Sequence, residues 1–500
     1  MTLSAIWRTR VYGTVAAVLA VWLAFLIAQE QYFWPLVSAG GFVALGVVYL
    51  QPLPLPTVLL GGAVIGYIVG NRGFAQVSLA GQFPLLPAEF VLLVAGVALA
   101  MKSAAQRRLP LRRDALNFAI LLWMACCSFR LYLDLRLFQF AAVRDFATVY
   151  YASFFFLAQE AGTTEAGRRF LLRCLLGACA ALLVVYPLFV QWPGFFLELL
   201  TIRGVPLVFF KGDLVGTFMA VGALLLFLRF EQKRSFWSLA GSLGLIALVV
   251  STNNRASMLG LAVGSLLLAF AGRWRFAAFQ TGAAIAAAIV ILFVAYLRHE
   301  SWEHTPLHGV YERVVSLGDP LGQHNYSGVE TYNKGDNNLF RAVWWRTCID
   351  ETLHANPWLG LGWGYDLAEG FARIYYPDGT DDFLTRSPHN VVITVFARAG
   401  FAGLGPFLFL LVVLVTRAWR AARTMALETA GLWASVCVIL TSACLGVVLE
   451  GPMGAVVFWV VLGLASAAGA AGPGPAADLA VAADLPSGAR ADEVAVRTSP

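Results

Sequence analysis

The chain has 500 residues, of which 59 % are hydrophobic and only 13 % charged, with a formal net charge of +6. A water-soluble fold of this size could not keep so apolar a composition in solution, and hydrophobic runs of about 16–25 residues recur almost end to end, so the solvent of this protein is lipid. Backbone polar groups in hydrocarbon must be satisfied within each segment, and the runs do not alternate polar with apolar as barrel strands do. The expected fold class is therefore all-α: a polytopic membrane helix bundle of about 12–14 transmembrane helices with one large extracytoplasmic loop. The basic excess is read first as a topology signal, and no nucleic-acid partner is expected.

Taken in chain order, spans are expected at 11–28, 32–50, 55–70, 85–101, 115–131, 140–158, 170–190, 214–230, 236–252, 256–271, 276–297, 391–416, 430–449 and 452–470. Arg8 and Arg10 precede the first span, which reads as a retained signal anchor. With the N-terminus inside, the even-numbered connections carry Lys102, Arg107, Arg108, Arg112 and Arg113, then Arg168, Arg169 and Arg173, then Arg229, Lys233 and Arg234, then Arg273 and Arg275, and finally Arg417, Arg420 and Arg423. Lys and Arg near span ends are retained on the cytoplasmic side, so this asymmetry orients the chain and puts the longest polar interruption outside. Four regions result: an N-terminal transmembrane bundle (1–297), the extracytoplasmic loop (298–388), C-terminal transmembrane helices (389–470) and a disordered cytoplasmic tail (471–500) rich in Ala, Gly and Pro. No internal repeat is visible, and Gly260 with Gly264 reads as a helix-packing contact.

All six histidines lie between positions 299 and 389: His299, His304, His308, His324, His354 and His389. Most histidines of a polar loop are solvated or structural. His389 differs because Ser-Pro-His-Asn pins it where the loop re-enters the membrane, and an imidazole there suits proton transfer near neutral pH. Arg255 stands in the outer turn between spans nine and ten, where the positive-inside rule does not place arginine. It can meet lipid headgroups, or its planar fork can hold phosphate oxygens. In the loop, Asn337 to Arg346 reads as the start of an amphipathic helix capped by Asp336 or an Asn, with Arg341 and Trp345 four residues apart on one face, and Asn356-Pro357-Trp358-Leu-Gly360-Leu-Gly362 breaks it in a glycine-rich turn. Loop aromatics such as Trp302, Tyr311, Tyr326, Tyr332, Tyr365, Tyr375 and Tyr376 suit either sugar stacking or packing. Asp378, Asp381 and Asp382 read as a solvated turn rather than an EF-hand. Arg144 and Asp145 are costly against lipid and are expected to face the bundle interior. Arg203 and Lys211, in a segment between spans seven and eight that reads as amphipathic, are interfacial anchors or further phosphate contacts. Cys348 is the single cysteine of the loop, so no disulfide forms within it.

His389-Asn390-Val-Val-Ile393 followed by Gly400 and Gly403, Arg341 with Trp345, the Asn356–Gly362 turn and the turn at Arg255 together resemble the motifs of the O-antigen ligase and polymerase superfamily of membrane glycosyltransferases, in that family's order. Asn254 and Ala256 flank the arginine where the family has a small residue and glycine, and Arg398 stands where it often has an acid. The resemblance implies a GT-C-like enzyme of the bacterial cytoplasmic membrane, acting at its outer face, that moves a glycan from a polyprenyl diphosphate to an acceptor hydroxyl with inversion. It implies no metal and no cofactor. Its partners would be the lipid-linked glycan donor, a lipid or glycan acceptor, membrane lipids and other polysaccharide-assembly proteins. His389, Arg255 and Arg341 take the catalytic roles, and Arg203, Lys211, Asn390, Trp345 and Arg386 those of substrate binding. Two other classes compete: a transporter or flippase of a lipid-linked or amphipathic substrate, which needs ionisable residues at midplane that most spans lack, and an assembly scaffold, which would not depend on His389.

Overall fold

The structure is a computed structural model that describes residues 53–78, 86–107, 111–252, 254–319, 329–375 and 386–470. The spans expected at 11–28 and 32–50, His324, Tyr326, Tyr376, the acidic run Asp378–Asp382 and the tail from 471 lie outside the described residues, as does the side chain of Tyr332. Among the described residues, eight helices are long and apolar enough to cross a membrane. They are α1 (Leu55–Gln76), α2 (Pro87–Gln106), α3 (Ala115–Asp145), α5 (Glu165–Gln191), α6 (Gly212–Lys233), α9 (Arg275–Leu297), α13 (Val391–Thr424) and α15 (Pro452–Gly469). Between them lie the shorter helices α4 (Ser153–Ala161), α7 (Phe236–Ser251), α8 (Arg255–Phe270) and α14 (Leu427–Ala443). The loop contributes α10 (Pro306–Leu317), α11 (Val329–Ala355) and α12 (Glu369–Tyr375).

Side chains start several of these helices by satisfying backbone N–H groups that have no partner in the first turn. Asp114 accepts from the amides of Leu116 (2.9 Å) and Asn117 (3.0 Å), Asn254 from Ala256 (2.8 Å), and Asn390 from Val392 (2.9 Å). Helix α6 is the hub, with 83 % of its apolar window buried, packed by α7, α8 and α14, whereas none of the window of α9 is buried and that span lies at the periphery. Helices approach closely through small residues. A Cβ on Gly264 would stand 2.7 Å from Val438, and one on Gly260 2.8 Å from the Val438 carbonyl, so this pair is the α8–α14 packing contact that the sequence suggests.

The sixth span, expected at 140–158, is present: the chain turns back at Gln139 (φ 46°) inside α3 and runs in helical segments to the end of α4, which packs on α15, with Tyr150 and Tyr151 bonded to Glu89 at one end of α2 and Glu160 paired with Lys102 at the other. The segment between α5 and α6, read as amphipathic, contains a short antiparallel hairpin, β1 (Thr201–Ile202) and β2 (Val205–Pro206), whose turn holds Arg203 and Gly204 at positive φ. Helix α11 begins at Val329 rather than near Asn337, and the Asn338 amide, instead of capping, donates to the carbonyls of Ser316 (2.8 Å) and Asp319 (2.7 Å) at the end of α10.

The loop joins the bundle at an interruption of α13. Gly400 adopts φ 57° and ψ −158°, a conformation open essentially to glycine, and this breaks the helical hydrogen-bond ladder inside a span. The turn after α11 enters the gap and completes the bonds. Leu361 and Gly362 donate to the carbonyls of Ala397 (2.7 Å) and Arg398 (3.1 Å), while Phe401 and Ala402 donate to those of Pro357 (2.9 Å) and Trp358 (3.0 Å). A Cβ on Gly400 would lie 2.4 Å from the Trp358 carbonyl carbon, and one on Gly360 2.6 Å from the Gly400 nitrogen. Only two bare backbones come this near. Gly400→Ala is therefore expected to destabilise by about 1–3 kcal/mol through backbone strain before the overlap is counted. The thermal midpoint of the detergent-solubilised protein should fall, and an unchanged midpoint would contradict the insertion.

Candidate active site

Three groups of residues converge where the loop, α13 and the end of α1 meet. Asn71, at φ 53°, breaks α1 near its end, and its buried amide oxygen accepts from the Lys211 backbone (2.9 Å) while Phe209 pairs with Gly70 and Arg72. This docking sets Lys211 at the mouth, where its ammonium donates to the Val447 carbonyl (3.2 Å) and pairs with Asp213 (3.2 Å). From the other side, Pro388 and the Asn390 cap hold His389 at φ 58°. The Trp345 indole donates to the Pro388 carbonyl (2.5 Å), and the Trp344 ring meets the imidazole edge-on at 5.7 Å.

A cavity of about 500 Å³ opens between them. Its cations are Arg72, Arg144, Lys211, Arg386 and Arg398, and its carboxylates are Asp145 and Glu450. Asp145 is committed, pairing with Arg398 (2.9 Å) and lying 3.7 Å from Arg386. Arg398, 3 % exposed, also donates to the carbonyls of Tyr365 (2.7 Å) and Gly362 (3.3 Å), so it binds the inserted turn to the tip of α3. Arg386 donates to the Gly364 carbonyl (2.9 Å). Glu450 accepts from Ser387 (3.0 Å) and Thr394 (3.2 Å), and burial pushes its carboxyl above the usual range. The cavity thus keeps an excess of positive charge in a partly desolvated setting, which suits a polyanion.

His389 lies on the wall, and its Nδ1 is buried with no hydrogen-bond partner among the described residues. Desolvation, then the nearby Arg341 and Lys211, hold its pKa down at about 4, so it is neutral at physiological pH and able to accept a proton. Arg341 is itself lowered to about 10 by burial and by Arg255, with Asp213 opposing. Arg255, at the first turn of α8, donates to the Ser316 hydroxyl (3.0 Å), and Arg313 donates to the Val250 carbonyl (2.9 Å), so α10 is fastened over the start of α8.

The structure therefore places Lys211, Arg386 and His389 on the cavity, with Arg341 in electrostatic contact with His389 and Arg255 next beyond it. Trp345 braces the His389 backbone, and the Asn390 side chain serves as the α13 cap. Arg203 is exposed on the hairpin turn and does not line the cavity. Residues that sequence reasoning missed are Glu450, with Ser387 and Thr394 around it, and Arg72. Glu450 did carry a signal: it is a lone acid in the apolar run between α14 and α15, and an ionisable group there is costly unless it serves a site. Arg144 and Asp145, expected to face the bundle interior, line the cavity together with Arg398.

Fold and site together define a multi-pass membrane protein with a cation-rich, partly buried cavity between its helices and its loop. Residues 240–410 match the family model described as O-antigen ligase, a segment that holds Arg255, the loop, His389 and the Gly400 interruption. That match covers about a third of the chain, and it supports the O-antigen ligase superfamily and, in general class, a ligase- or polymerase-like glycosyltransferase. No curated protein matches the chain at a significant level.

Two outcomes are expected. Breaking one side of a buried ion pair leaves an uncompensated charge at a cost of about 3–5 kcal/mol, so Arg398→Met should destabilise strongly and Arg398→Met with Asp145→Leu should recover part of the loss. Equal destabilisation in the single and double variants would show that the pair is not coupled. Separately, in histidine-labelled protein, the imidazole resonance missing from His389→Gln should remain neutral on lowering the pH to 5, where an ordinary histidine is already charged. Titration of that signal near 6.5 would remove the desolvated, cation-flanked environment.

Proposed function

We propose that this protein transfers or polymerises a polyprenyl-diphosphate-linked glycan onto an acceptor hydroxyl at the outer face of the bacterial cytoplasmic membrane. The observation that carries the reading is the neutral, buried imidazole of His389 beside a cluster of cations, within the segment that matches the O-antigen ligase model. The diphosphate would lie among Lys211, Arg341 and the cavity arginines, with Arg255 adding to the field from the next position. Negative charge grows on the diphosphate as its bond to the anomeric carbon breaks, and fixed cations stabilise that developing charge more than the ground state.

The acceptor oxygen attacks the anomeric carbon, the electron pair of the C–O bond leaves with the diphosphate, and the hydroxyl proton passes to His389. The free protein holds His389 too acidic to be a strong base, and the causes are burial and the cations Arg341 and Lys211. A bound diphosphate neutralises those cations and lifts the imidazole toward the range where a base works best near pH 7. The donor thus prepares the base that its own transfer requires.

The test uses purified full-length protein, a polyprenyl-diphosphate-linked repeat unit, and assays with and without a lipid acceptor. His389→Ala should abolish transfer, and Arg341→Ala should lower kcat/KM by roughly 10²–10³, the usual worth of one donor to a developing anion. Arg203→Ala, exposed on the hairpin, should change it less than about twofold. A single addition to the acceptor identifies a ligase, and a ladder formed without it a polymerase. Full activity in either His389→Ala or Arg341→Ala would remove the mechanism.

A further inference from the structure

The end of the bundle opposite the candidate active site carries a second built cavity, of about 450 Å³. It lies between α5 and α6 at the first turn of α14. Helix α5 supplies Arg169 and Arg173, and α6 supplies Arg229 and Lys233, each pair four residues apart and so stacked on one helix face. One carboxylate, Glu428, faces these four cations within the lining. Arg169 also pairs with Glu165 on its own helix, which leaves Arg173, Arg229 and Lys233 as the principal positive charges. Deeper in, the wall changes character: Leu172, Leu176, Leu225 and Leu228 line it with aliphatic surface from the same two helices.

Two sets of like charges held face to face repel one another; water screens these exposed side chains and Glu428 offsets one of them, and an anion between the two sets still gains a net attraction. The aliphatic floor adds a second requirement, because a small hydrated anion gains nothing from leucine. A ligand with a phosphate at one end and a hydrocarbon chain at the other meets both. We propose that this cavity binds the headgroup phosphate of an anionic phospholipid, with an acyl chain laid along the leucines, as basic pockets between transmembrane helices do elsewhere. Helix α6 reaches from this cavity to the candidate active site, with Arg229 and Lys233 near one end and Lys211 and Asp213 flanking the other. The inference does not rest on the glycosyltransferase reading, since the ligand and the residues are different.

The experiment takes delipidated full-length protein in detergent and measures lipid retention by native mass spectrometry with phosphatidylglycerol, with phosphatidylcholine, and with inorganic phosphate as competitor. Phosphatidylglycerol should be retained in preference to phosphatidylcholine. The triple variant Arg173→Gln, Arg229→Gln, Lys233→Gln should weaken retention at least about tenfold, while Arg113→Gln, Arg420→Gln, Arg423→Gln, which removes the same charge elsewhere at this end, should not. Leu225→Trp fills the apolar floor without touching the charge and should also weaken retention. Equal loss in the two triple variants, no preference between the lipids, retention unaffected by Leu225→Trp, or displacement by inorganic phosphate at concentrations comparable to the lipid would each overturn the proposal.

Discussion

The structure depends on a broken helix inside a membrane span. A backbone carbonyl or amide left open in hydrocarbon costs several kcal/mol, so an interruption survives only where other protein groups complete it. Here the Pro357–Gly362 turn supplies two acceptors and two donors to the four groups that Gly400 leaves open. The dependence runs both ways. Without the turn α13 would have an unsatisfied gap, and without the gap the turn would have no place to end. The loop is thereby held in register with the membrane helices by main-chain bonds rather than by surface contact, and His389, eleven residues before Gly400, inherits that register.

The second constraint is electrostatic. Five cations around two carboxylates would not gather in a partly buried place for stability alone, since burying charge is penalised and like charges repel. The arrangement divides the labour among them. Asp145 with Arg398 forms the rigid part, joining the tip of α3, α13 and the inserted turn, while Lys211, Arg341 and Arg255 bear on the imidazole or on each other. Glu450, tied to Ser387 and Thr394, connects the α14–α15 turn to the same wall. Residues far apart in sequence thus share one small volume because each ends a different span.

Much of this was legible in the sequence because membrane helices announce themselves by composition. The helical class, most spans and the α8–α14 glycine contact followed from hydropathy and residue spacing, and charge asymmetry and placement mark out Arg255, Arg341 and His389 as candidates. What was not legible came from partners distant along the chain. Asn338 looked like a cap and proved to be a tertiary bond, because capping and cross-loop pairing use the same amide. Arg203, read as an interfacial anchor or a phosphate contact, stands exposed on the hairpin turn, outside the cavity lining. Arg398 read as a departure from a family pattern, and only three dimensions gave it Asp145 for company.

Two ion pairs join α3 to α13 at opposite ends, Asp114 with Arg417 (3.1 Å) and Asp145 with Arg398 (2.9 Å). Between these rungs α13 has about 19 residues, a rise of about 28 Å, and α3 keeps pace with it as far as Asp134, whose carboxylate accepts from the Trp363 amide beside Gly362, the residue whose carbonyl Arg398 holds. The chain then turns back at Gln139 and brings Asp145 to the same level. That rail is close to the thickness of a bilayer's hydrocarbon core, about 30 Å, so α13 works as a ruler that sets the Asp145–Arg398 pair, and the cavity it borders, at one edge of the membrane.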